Sequence, residues 1–342
     1  MGVAIREIVP KQEISFDELK AKKIALDAYN ALYQFLSAIR QPDGKPLLDK
    51  KGRVTSHLSG LFYRTVKLVE LGIQPVYVFD GKPPELKQKT LEKRKKQREN
   101  ARKKWEEALE KGELEEARKY AQAASKLNEE MVADAKELLT AMGIPWVQAP
   151  SEGEAQAAYM VSKGDVWASG SQDYDSLLFG AERLVRNLAV VGKRKLPGKN
   201  IYVDVAPELI QLDDVLRTLG IDRKKLIWIG ILVGTDFNEK VPGVGPKRAL
   251  ALVKEHDSLD EIFRALGYKP DYDWEAVEKI FLEPEVTDDY VIEFRKPDRD
   301  KVLEILVEKH DFSRERVEKA LKTLEDATPA SGAQTSLDAW FG

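Results

Sequence analysis

Seven acidic residues have the types and spacing that metal-dependent phosphate chemistry requires. They follow apolar runs or stand in pairs separated by one residue, and they are Asp27, Asp80, Glu152, Glu154, Asp173, Asp175 and Asp236. If they converge, mutual repulsion would raise their pKa values unless cations offset the charge. Oxygen ligands without histidine or cysteine favour Mg²⁺ or Mn²⁺. Two such ions about 4 Å apart are a common device for cleaving phosphodiesters.

Each acid also has a purely structural interpretation. Asp27 and Asp80 would suit the N-terminal caps of the helices that follow them. Ser151-x-x-Glu154 matches a capping box, and helix N-termini favour carboxylates in general. The choice between the structural and the catalytic interpretation therefore depends on whether the fold brings the acids together.

Strand and helix patterns alternate around these acids. Apolar runs predict buried strands at residues 23–27, 75–80 and 165–170. Amphipathic patterns predict helices at residues 29–40, 57–71 and 131–142. This alternation favours an α/β fold with a mostly parallel central sheet and helices on both faces. Ligand sites in such sheets lie beyond the carboxyl ends of the strands, where Asp27, Asp80 and Asp173 would stand.

The composition excludes several other kinds of chemistry. The 342 residues contain no cysteine and three histidines, so disulfides, thiolate catalysis and cysteine zinc sites are excluded. Net charge is −3, from 55 basic and 58 acidic side chains, so the distribution of charge says more than its sum. Neither a membrane-spanning run nor a signal peptide is evident. We therefore expect a cytoplasmic, nucleoid-associated protein.

Residues 81–135 are dominated by Lys, Arg, Glu and Ala and predict two long polar helices that break near Gly112 and project from the core. The strongly basic start of this stretch is either a solvated helix face or a phosphate-handling surface. Lys87 and Arg94 are seven residues apart and would share one helix face. Their position close after Asp80 favours contact with a substrate phosphate.

Residues 222–256 resemble a helix–hairpin–helix. Gly243 and Gly245 would let the backbone approach a phosphate, and Lys247 and Arg248 open the next helix. The alternative is a tight helix–helix turn without a ligand. The phosphate interpretation implies a sequence-independent grip on duplex DNA.

Five motifs of the chain resemble those of the flap endonuclease family. The motifs are Ile24-Ala25-Leu26-Asp27-Ala28, Val76-Tyr77-Val78-Phe79-Asp80-Gly81-Lys82-Pro83-Pro84, Pro150-Ser151-Glu152-Gly153-Glu154-Ala155, Ser171-Gln172-Asp173-Tyr174-Asp175-Ser176 and Gly234-Thr235-Asp236-Phe237. The resemblance extends over essentially the whole chain and is archaeal in type. It implies a PIN-like nuclease fold and a Mg²⁺-dependent enzyme with two ions per subunit, which Mn²⁺ can replace. The implied activity is 5′-flap cleavage one nucleotide into the duplex, with weaker 5′→3′ exonuclease activity, in Okazaki-fragment maturation and repair.

The resemblance also implies roles for individual residues. Asp27, Asp80, Glu152 and Glu154 would surround one metal, while Asp173, Asp175 and Asp236 would serve the second. Lys87 and Arg94 match a basic pair at the helical arch, and Tyr33 matches an aromatic residue that stacks on a base near the scissile phosphate. Gly2 matches an N-terminal glycine near the site, and Thr55 and Arg316 resemble residues of a 3′-flap pocket. The sequence departs from the family at Lys240, where a hydroxyl residue helps to hold a monovalent cation.

The last residues resemble a sliding-clamp-binding box. Its anchors are Gln334, Leu337, Trp340 and Phe341, and three of them would share one face of a short helical turn. The alternative is that the tail docks on its own core. The expected partners are therefore branched DNA and a sliding clamp, with no membrane, and the protein is expected to be a monomer.

The sequence predicts one nuclease domain over residues 1–326 and a flexible tail over residues 327–342. Within the domain, the predicted parts are residues 1–80 (N-terminal nuclease part), 81–135 (arch), 136–221 (internal nuclease part), 222–256 (helix–hairpin–helix) and 257–326 (helical C-terminal part). Two other functions stay open: another nuclease of the same superfamily acting on repair bubbles or junctions, and a non-catalytic DNA-binding partner of the clamp. The complete set of seven acids argues against a binding module, which would have no need of a repulsive cluster.

Overall fold

The computed structural model describes residues 2–41, 43–188, 192–195 and 202–328, with the backbone alone for 192–195 and 202–205. Nine strands are present in the described part: β1 (Gln12–Glu13), β2 (Lys23–Asp27), β3 (Gln74–Phe79), β4 (Trp146–Gln148), β5 (Ala168–Gly170), β6 (Arg183–Arg186), β7 (Gly192–Lys195), β8 (Tyr202–Val205) and β9 (Glu208–Gln211). The clamp-box residues Gln334, Leu337, Trp340 and Phe341 lie outside the described residues.

The helices of the described part are α1 (Ala28–Ala38), α2 (Ser56–Glu70), α3 (Gln88–Glu110), α4 (Leu114–Ala123), α5 (Glu129–Ala141), α6 (Gly153–Ser162), α7 (Asp175–Leu178), α8 (Leu212–Leu219), α9 (Arg223–Val233), α10 (Pro246–Glu255), α11 (Leu259–Leu266), α12 (Trp274–Leu282), α13 (Arg299–Leu303) and α14 (Arg314–Ala327). A 3₁₀ turn at Glu85–Lys87 leads into α3, and a π-helix at Glu304–Lys309 follows α13. No helix in the described ranges is both long and apolar enough to cross a membrane.

A seven-stranded sheet in the order β1-β9-β6-β5-β2-β3-β4 is the centre of the α/β fold. β2 pairs in parallel with β5, and β5 with β6, whereas β9 runs antiparallel to both β6 and β1. The sheet is therefore mixed, and the predicted parallel character holds for β2, β5 and β6. A separate antiparallel pair joins β7 to β8.

The predicted strand at residues 165–170 is shorter in the structure. β5 begins at Ala168, because the backbone N–H groups of Asp165 and Val166 donate to the Met160 carbonyl at the end of α6. Trp167 is the first residue of this run whose N–H reaches β2, where it donates to the Lys23 carbonyl. The other predicted elements agree closely with β2, β3, α1, α2 and α5.

The chain divides into two compact units. Unit 1 contains Met1–Asn30, Val78–Gln97 and Val147–Tyr290, and unit 2 contains Ala31–Tyr77, Arg98–Trp146 and Val291–Gly342. The core of unit 1 is one apolar cluster, to which α9 contributes residues from Leu226 to Val233. In unit 2, α2 packs against α5 and α14. The predicted division into nuclease parts, arch and tail stays a prediction.

Candidate active site

All seven acids lie in unit 1 and interact with one another. Burial raises the pKa of Asp27 to about 8, and the negative charges of Asp80 and Asp173 contribute to the rise. Burial also raises the pKa of Asp175 to about 7, with further contributions from Asp236 and Asp173. The pKa of Glu154 is raised well above its usual range by burial and by Asp175. Because each of these acids affects the pKa of others, acids far apart in sequence share one electrostatic environment.

Asp27 closes β2 and opens α1. Its Oδ1 accepts a hydrogen bond from the Asn30 backbone N–H at 2.9 Å, so the carboxylate caps the first turn of the helix. The Asn30 side chain donates to Asp173 Oδ2 at 3.2 Å. The capping interpretation of Asp27 is therefore correct, but the same turn also joins this acid to the one that follows β5.

The N-terminal segment holds the pair that follows β5. The backbone N–H of Gly2 donates to Asp173 Oδ1 at 3.0 Å, and that of Val3 donates to Asp175 Oδ1 at 2.6 Å. A Cβ atom at position 2 would stand 2.5 Å from the Asp173 Cβ. Only glycine therefore allows the chain to approach this carboxylate so closely.

The start of α6 approaches Asp80 in a similar way. The Gly153 backbone N–H donates to Asp80 Oδ1 at 2.7 Å, and a Cβ atom at Gly153 would stand 2.7 Å from that oxygen. Asp80 therefore satisfies an N-terminal donor of α6 from another part of the chain.

The capping box suggested by Ser151 and Glu154 is wrong, because Glu152 is the N-cap of α6 and its side chain makes no capping bond. Glu154 instead accepts a hydrogen bond from Ser171 Oγ at 2.7 Å, so it points towards the segment that follows β5.

Two basic side chains lie on this acidic cluster. Lys87 Nζ stands 2.5 Å from Glu152 Oε2 and 3.4 Å from Asp236 Oδ2, and Arg94 donates to Asp236 Oδ1 at 2.5 Å. Burial alone would lower the pKa of Lys87, but Glu152 and Asp236 outweigh it and the pKa is raised. The ammonium is therefore held in its charged form. Both residues reach Asp236, although Lys87 lies in the 3₁₀ turn before α3 and only Arg94 lies on the helix itself.

Two cations cannot neutralise seven carboxylates. Burial raises the pKa of Asp80 and of Glu152 as well, although Lys87 lowers both. The cluster therefore has buried oxygen donors and an excess of negative charge. Hard divalent cations bind such sites. In this conformation, no three His, Cys, Asp or Glu side chains of the described ranges stand in a ready-made ligating arrangement. Several of the carboxylates are instead engaged by Lys87, Arg94 and backbone N–H groups.

The glycine-rich hairpin lies between α9 and α10. Gly243 adopts a left-handed φ of 71°, and Gly245 is the N-cap of α10, with Pro246 in the first turn. Both glycines and the side chains of Lys247 and Arg248 are exposed. The hairpin therefore presents backbone N–H groups and two cations to solvent, as an anion site at a helix N-terminus requires.

Three site residues proposed from the resemblance lie in unit 2. Tyr33 is half-buried on α1, Arg316 is exposed in the first turns of α14, and Thr55 precedes α2 and is only 4% exposed. The roles of all three stay predictions.

Sequence reasoning missed Asn30 and Ser171. Asn30 connects Asp27 to Asp173, and Ser171 Oγ donates to Glu154 while it accepts the Asp173 N–H at 3.1 Å. A usable signal was present, because each is a polar residue within three positions of a candidate acid. Neither residue carries a charge, which is the feature that distinguishes the seven acids.

Two family models match the segments of the chain that carry the seven acids. The XPG N-terminal domain matches residues 3–101 and the XPG I-region matches residues 143–236. Together the two matches cover more than half of the chain and include all seven acids.

Full-length relatives give the same result. Flap endonuclease 1 of Aeropyrum pernix is 59% identical over 100% of both chains, and that of Pyrococcus furiosus is 59% identical over 100% of this chain and 99% of its own. The solved flap endonuclease-1 of Methanococcus jannaschii has a TM-score of 0.75 and 46% identity, over 95% of this chain and 98% of its own. The solved Rad2 catalytic core with DNA substrate, at 24% identity and a TM-score of 0.70, supports the fold alone. The chain described here belongs to the flap endonuclease 1 family.

Proposed function

We propose that this protein is a structure-specific nuclease that hydrolyses a phosphodiester at the base of a 5′ flap in branched DNA. The observation that carries the proposal is the single network of seven acids, with Lys87 and Arg94 already bound to Glu152 and Asp236. A non-catalytic binding module has no use for such a cluster of carboxylates, in which burial and neighbouring negative charges raise the pKa of Asp27, Glu154 and Asp175. The full-length identity to proteins named flap endonuclease 1 supports this substrate class.

The proposed cofactor is a pair of Mg²⁺ ions, which Mn²⁺ can replace. Asp27, Asp80, Glu152 and Glu154 would hold one ion, and Asp173, Asp175 and Asp236 the other. Bound there, the ions would lower the pKa of the attacking water and stabilise charge on the attacking and leaving oxygens. The donor set fits, because it consists of oxygen atoms, is half-buried and carries more negative charge than its two basic neighbours balance.

Lys87 and Arg94 provide the positive charge that faces the substrate. Both now make charge-assisted hydrogen bonds to carboxylates, and a phosphate offers oxygen acceptors of the same kind. The side chain of Arg94 remains 32% exposed, so part of it is open to a phosphate. We assign to this pair the task of positioning the scissile phosphate and offsetting its developing charge.

The remaining residues would hold the DNA around the cut. The exposed hairpin of Gly243, Gly245, Lys247 and Arg248 would grip duplex phosphates without reading sequence. In our proposal, Tyr33 stacks on a base, while Thr55 and Arg316 contribute to a pocket for a 3′ flap. A weaker 5′→3′ exonuclease activity and binding of a sliding clamp through residues 334–341 complete the proposal, with roles in Okazaki-fragment maturation and repair.

One assay tests this proposal. Purified protein is given double-flap, nicked, single-stranded and four-way DNA, with Mg²⁺ and with chelator. We expect Mg²⁺-dependent cleavage of the double flap in preference to the other three substrates. Preference for the four-way junction would indicate another nuclease of the superfamily, and binding without cleavage would indicate a non-catalytic module.

A substitution at Asp80, compared with the same substitution at a surface acid, tests the acidic site. Asp80→Asn retains the size of the side chain but removes its charge, so metal binding should weaken while DNA binding persists. We expect single-turnover flap cleavage to fall by about 100-fold or more, measured beside the flap affinity. Asp214→Asn, in an acid paired with Arg217 on the surface of α8, is the control and should cleave at the wild-type rate. Near-normal cleavage by Asp80→Asn would remove the metal assignment.

A further inference from the structure

A second polar recess lies at the opposite edge of the sheet from the acids. It has a volume of about 510 Å³ and is lined by the turn before β2, the loop after α6 and the start of β6. β6, β5 and β2 are neighbours and run in parallel, so their amino ends meet at this recess. β2, from Lys23 to Asp27, extends from the recess to the acidic site over about 13 Å of extended chain.

The charge balance of the recess favours an anion. Four cations line it, and they are Lys22, Lys23, Lys163 and Arg183. The two acids of the lining are already engaged. Asp165 accepts from the Tyr290 hydroxyl at 2.6 Å and lies 3.8 Å from Lys163, while Glu182 pairs with Arg183 at 3.3 Å.

Two of these cations have no carboxylate partner in the described part of the chain. Among the residues that the structure describes, no carboxylate oxygen lies within 4.0 Å of the ammonium of Lys22 or Lys23. Lys163, by contrast, is bound to Asp288 at 2.5 Å. Positive charge in a recess that its own acids do not neutralise is available to a ligand.

An aromatic ring forms part of the same wall. Trp167 is half-buried, with Lys22 Nζ 5.4 Å and the Arg183 guanidinium 5.7 Å from its ring centroid. An indole with cations beside it can stack on a base while the cations contact a phosphate. Sites for single nucleotides and nucleic-acid strands combine these two contacts. A volume near 500 Å³ falls within the range of small-ligand sites.

We propose that this recess binds the phosphate group of a nucleotide through Lys22, Lys23 and Arg183, with Trp167 contacting the base. The nucleotide is either free or part of a nucleic-acid strand, and the phosphate chemistry is common to both. This second site is independent of the proposed cleavage reaction, because none of its residues belongs to the acidic network.

Calorimetric titration in chelator tests the proposal, because metal-free carboxylates repel phosphate at the other edge of the sheet. The probes are thymidine 5′-monophosphate, thymidine and a five-nucleotide oligothymidylate. We expect the monophosphate to bind at low salt and thymidine to bind at least about tenfold more weakly, since it lacks the charged group. Tighter binding of the oligonucleotide that Lys22→Glu/Lys23→Glu weakens would assign the recess to strands, and binding of the monophosphate alone would assign it to free nucleotides. Equal affinity for thymidine and its monophosphate would overturn the proposal.

A charge-reversed pair locates the binding. Lys22→Glu/Lys23→Glu should weaken monophosphate binding by about tenfold or more. The control Lys269→Glu/Lys279→Glu changes net charge equally at two exposed lysines of unit 1 and should bind as the wild type does. Equal loss in both double variants would show a general charge effect and overturn the site.

If the charge-reversed protein fails to fold, the Trp167 signal of the wild-type chain still tests the proposal. The chain has six tryptophans, and Trp167→Phe identifies the indole N–H signal of Trp167 in a nitrogen–proton spectrum. That signal should shift as the monophosphate is added. A Trp167 signal that stays fixed while the protein binds the probe would contradict the proposal.

Discussion

At the residue scale, the sequence predicts which acids belong to the site but does not predict the residues that hydrogen-bond to them. The acid positions follow from strand ends and short spacings, which a linear sequence displays directly. Their hydrogen-bond partners come from distant segments, because Gly2 reaches Asp173 across 171 positions and Lys87 reaches Glu152 across 65. Local patterns cannot show such contacts, and they misled the capping-box interpretation of Glu154.

Lys87 provides a sharp test at this scale. Lys87→Met retains most of the side chain but removes the ammonium that neutralises Glu152 and Asp236. We expect single-turnover flap cleavage at saturating Mg²⁺ to fall by about 100-fold, because positive charge near the phosphate is lost. Lys93→Met is the matched control, since that lysine is 64% exposed and pairs with Glu239 at the surface. Similar rates for both variants would mean that Lys87 has no part in the cleavage reaction.

At the element scale, long elements with a clear period were predictable and short strands were not. The patterns predicted α1, α2 and α5 closely, and the polar stretch broke at Gly112 as expected, between α3 and α4. β1, with two residues, and β4, with three, are too short for an alternating pattern to appear. The antiparallel β9 depends on long-range pairing with β6, so the mostly parallel sheet that the sequence predicts carries antiparallel strands at one edge.

The N-terminal segment is the element whose role in the site is easiest to test. Gly2→Ala would place a Cβ atom 2.5 Å from the Asp173 Cβ and displace that carboxylate. A shift of about 1 Å costs roughly 100-fold in rate, so we expect flap cleavage to fall on that scale while the melting temperature changes little. Ala4→Gly, at an exposed position of the same segment, should retain activity. Normal cleavage by Gly2→Ala would show that Asp173 does not need this support.

At the scale of the whole molecule, stability depends on buried groups away from the acids as well. In unit 2, His57 is fully buried and neither ring nitrogen has a hydrogen-bond partner in the described residues. Its neighbour His310 lies 3.4 Å from Asp49 and 3.9 Å from Asp134, and Arg53 binds Asp49 at 2.7 Å. Burial, with a smaller contribution from His310, lowers the pKa of His57 to about 4.

This burial predicts a pH dependence of stability. In the unfolded chain His57 takes up a proton near its usual pKa of about 6.5. The unfolded state therefore binds more protons between pH 6.5 and pH 4, and the free energy of unfolding should decrease as pH falls through that window. The loss from this residue is roughly 3 kcal/mol, from about 1.4 kcal/mol per unit of pKa difference.

Chemical denaturation in chelator at pH 7 and pH 4.5 measures this effect. His57→Gln removes the titration but leaves the surrounding acids, so the difference between the wild type and the variant isolates the histidine. We expect the wild type to lose more stability than the variant on acidification. Equal losses would contradict the assignment.

The central claim is that seven scattered acids form one site for a pair of divalent cations. Anomalous diffraction from a crystal soaked in Mn²⁺ tests it most directly. Our account predicts two peaks about 4 Å apart, each coordinated by oxygens of the acids from Asp27 to Asp236. A well-ordered soaked crystal without anomalous density among those carboxylates would contradict it.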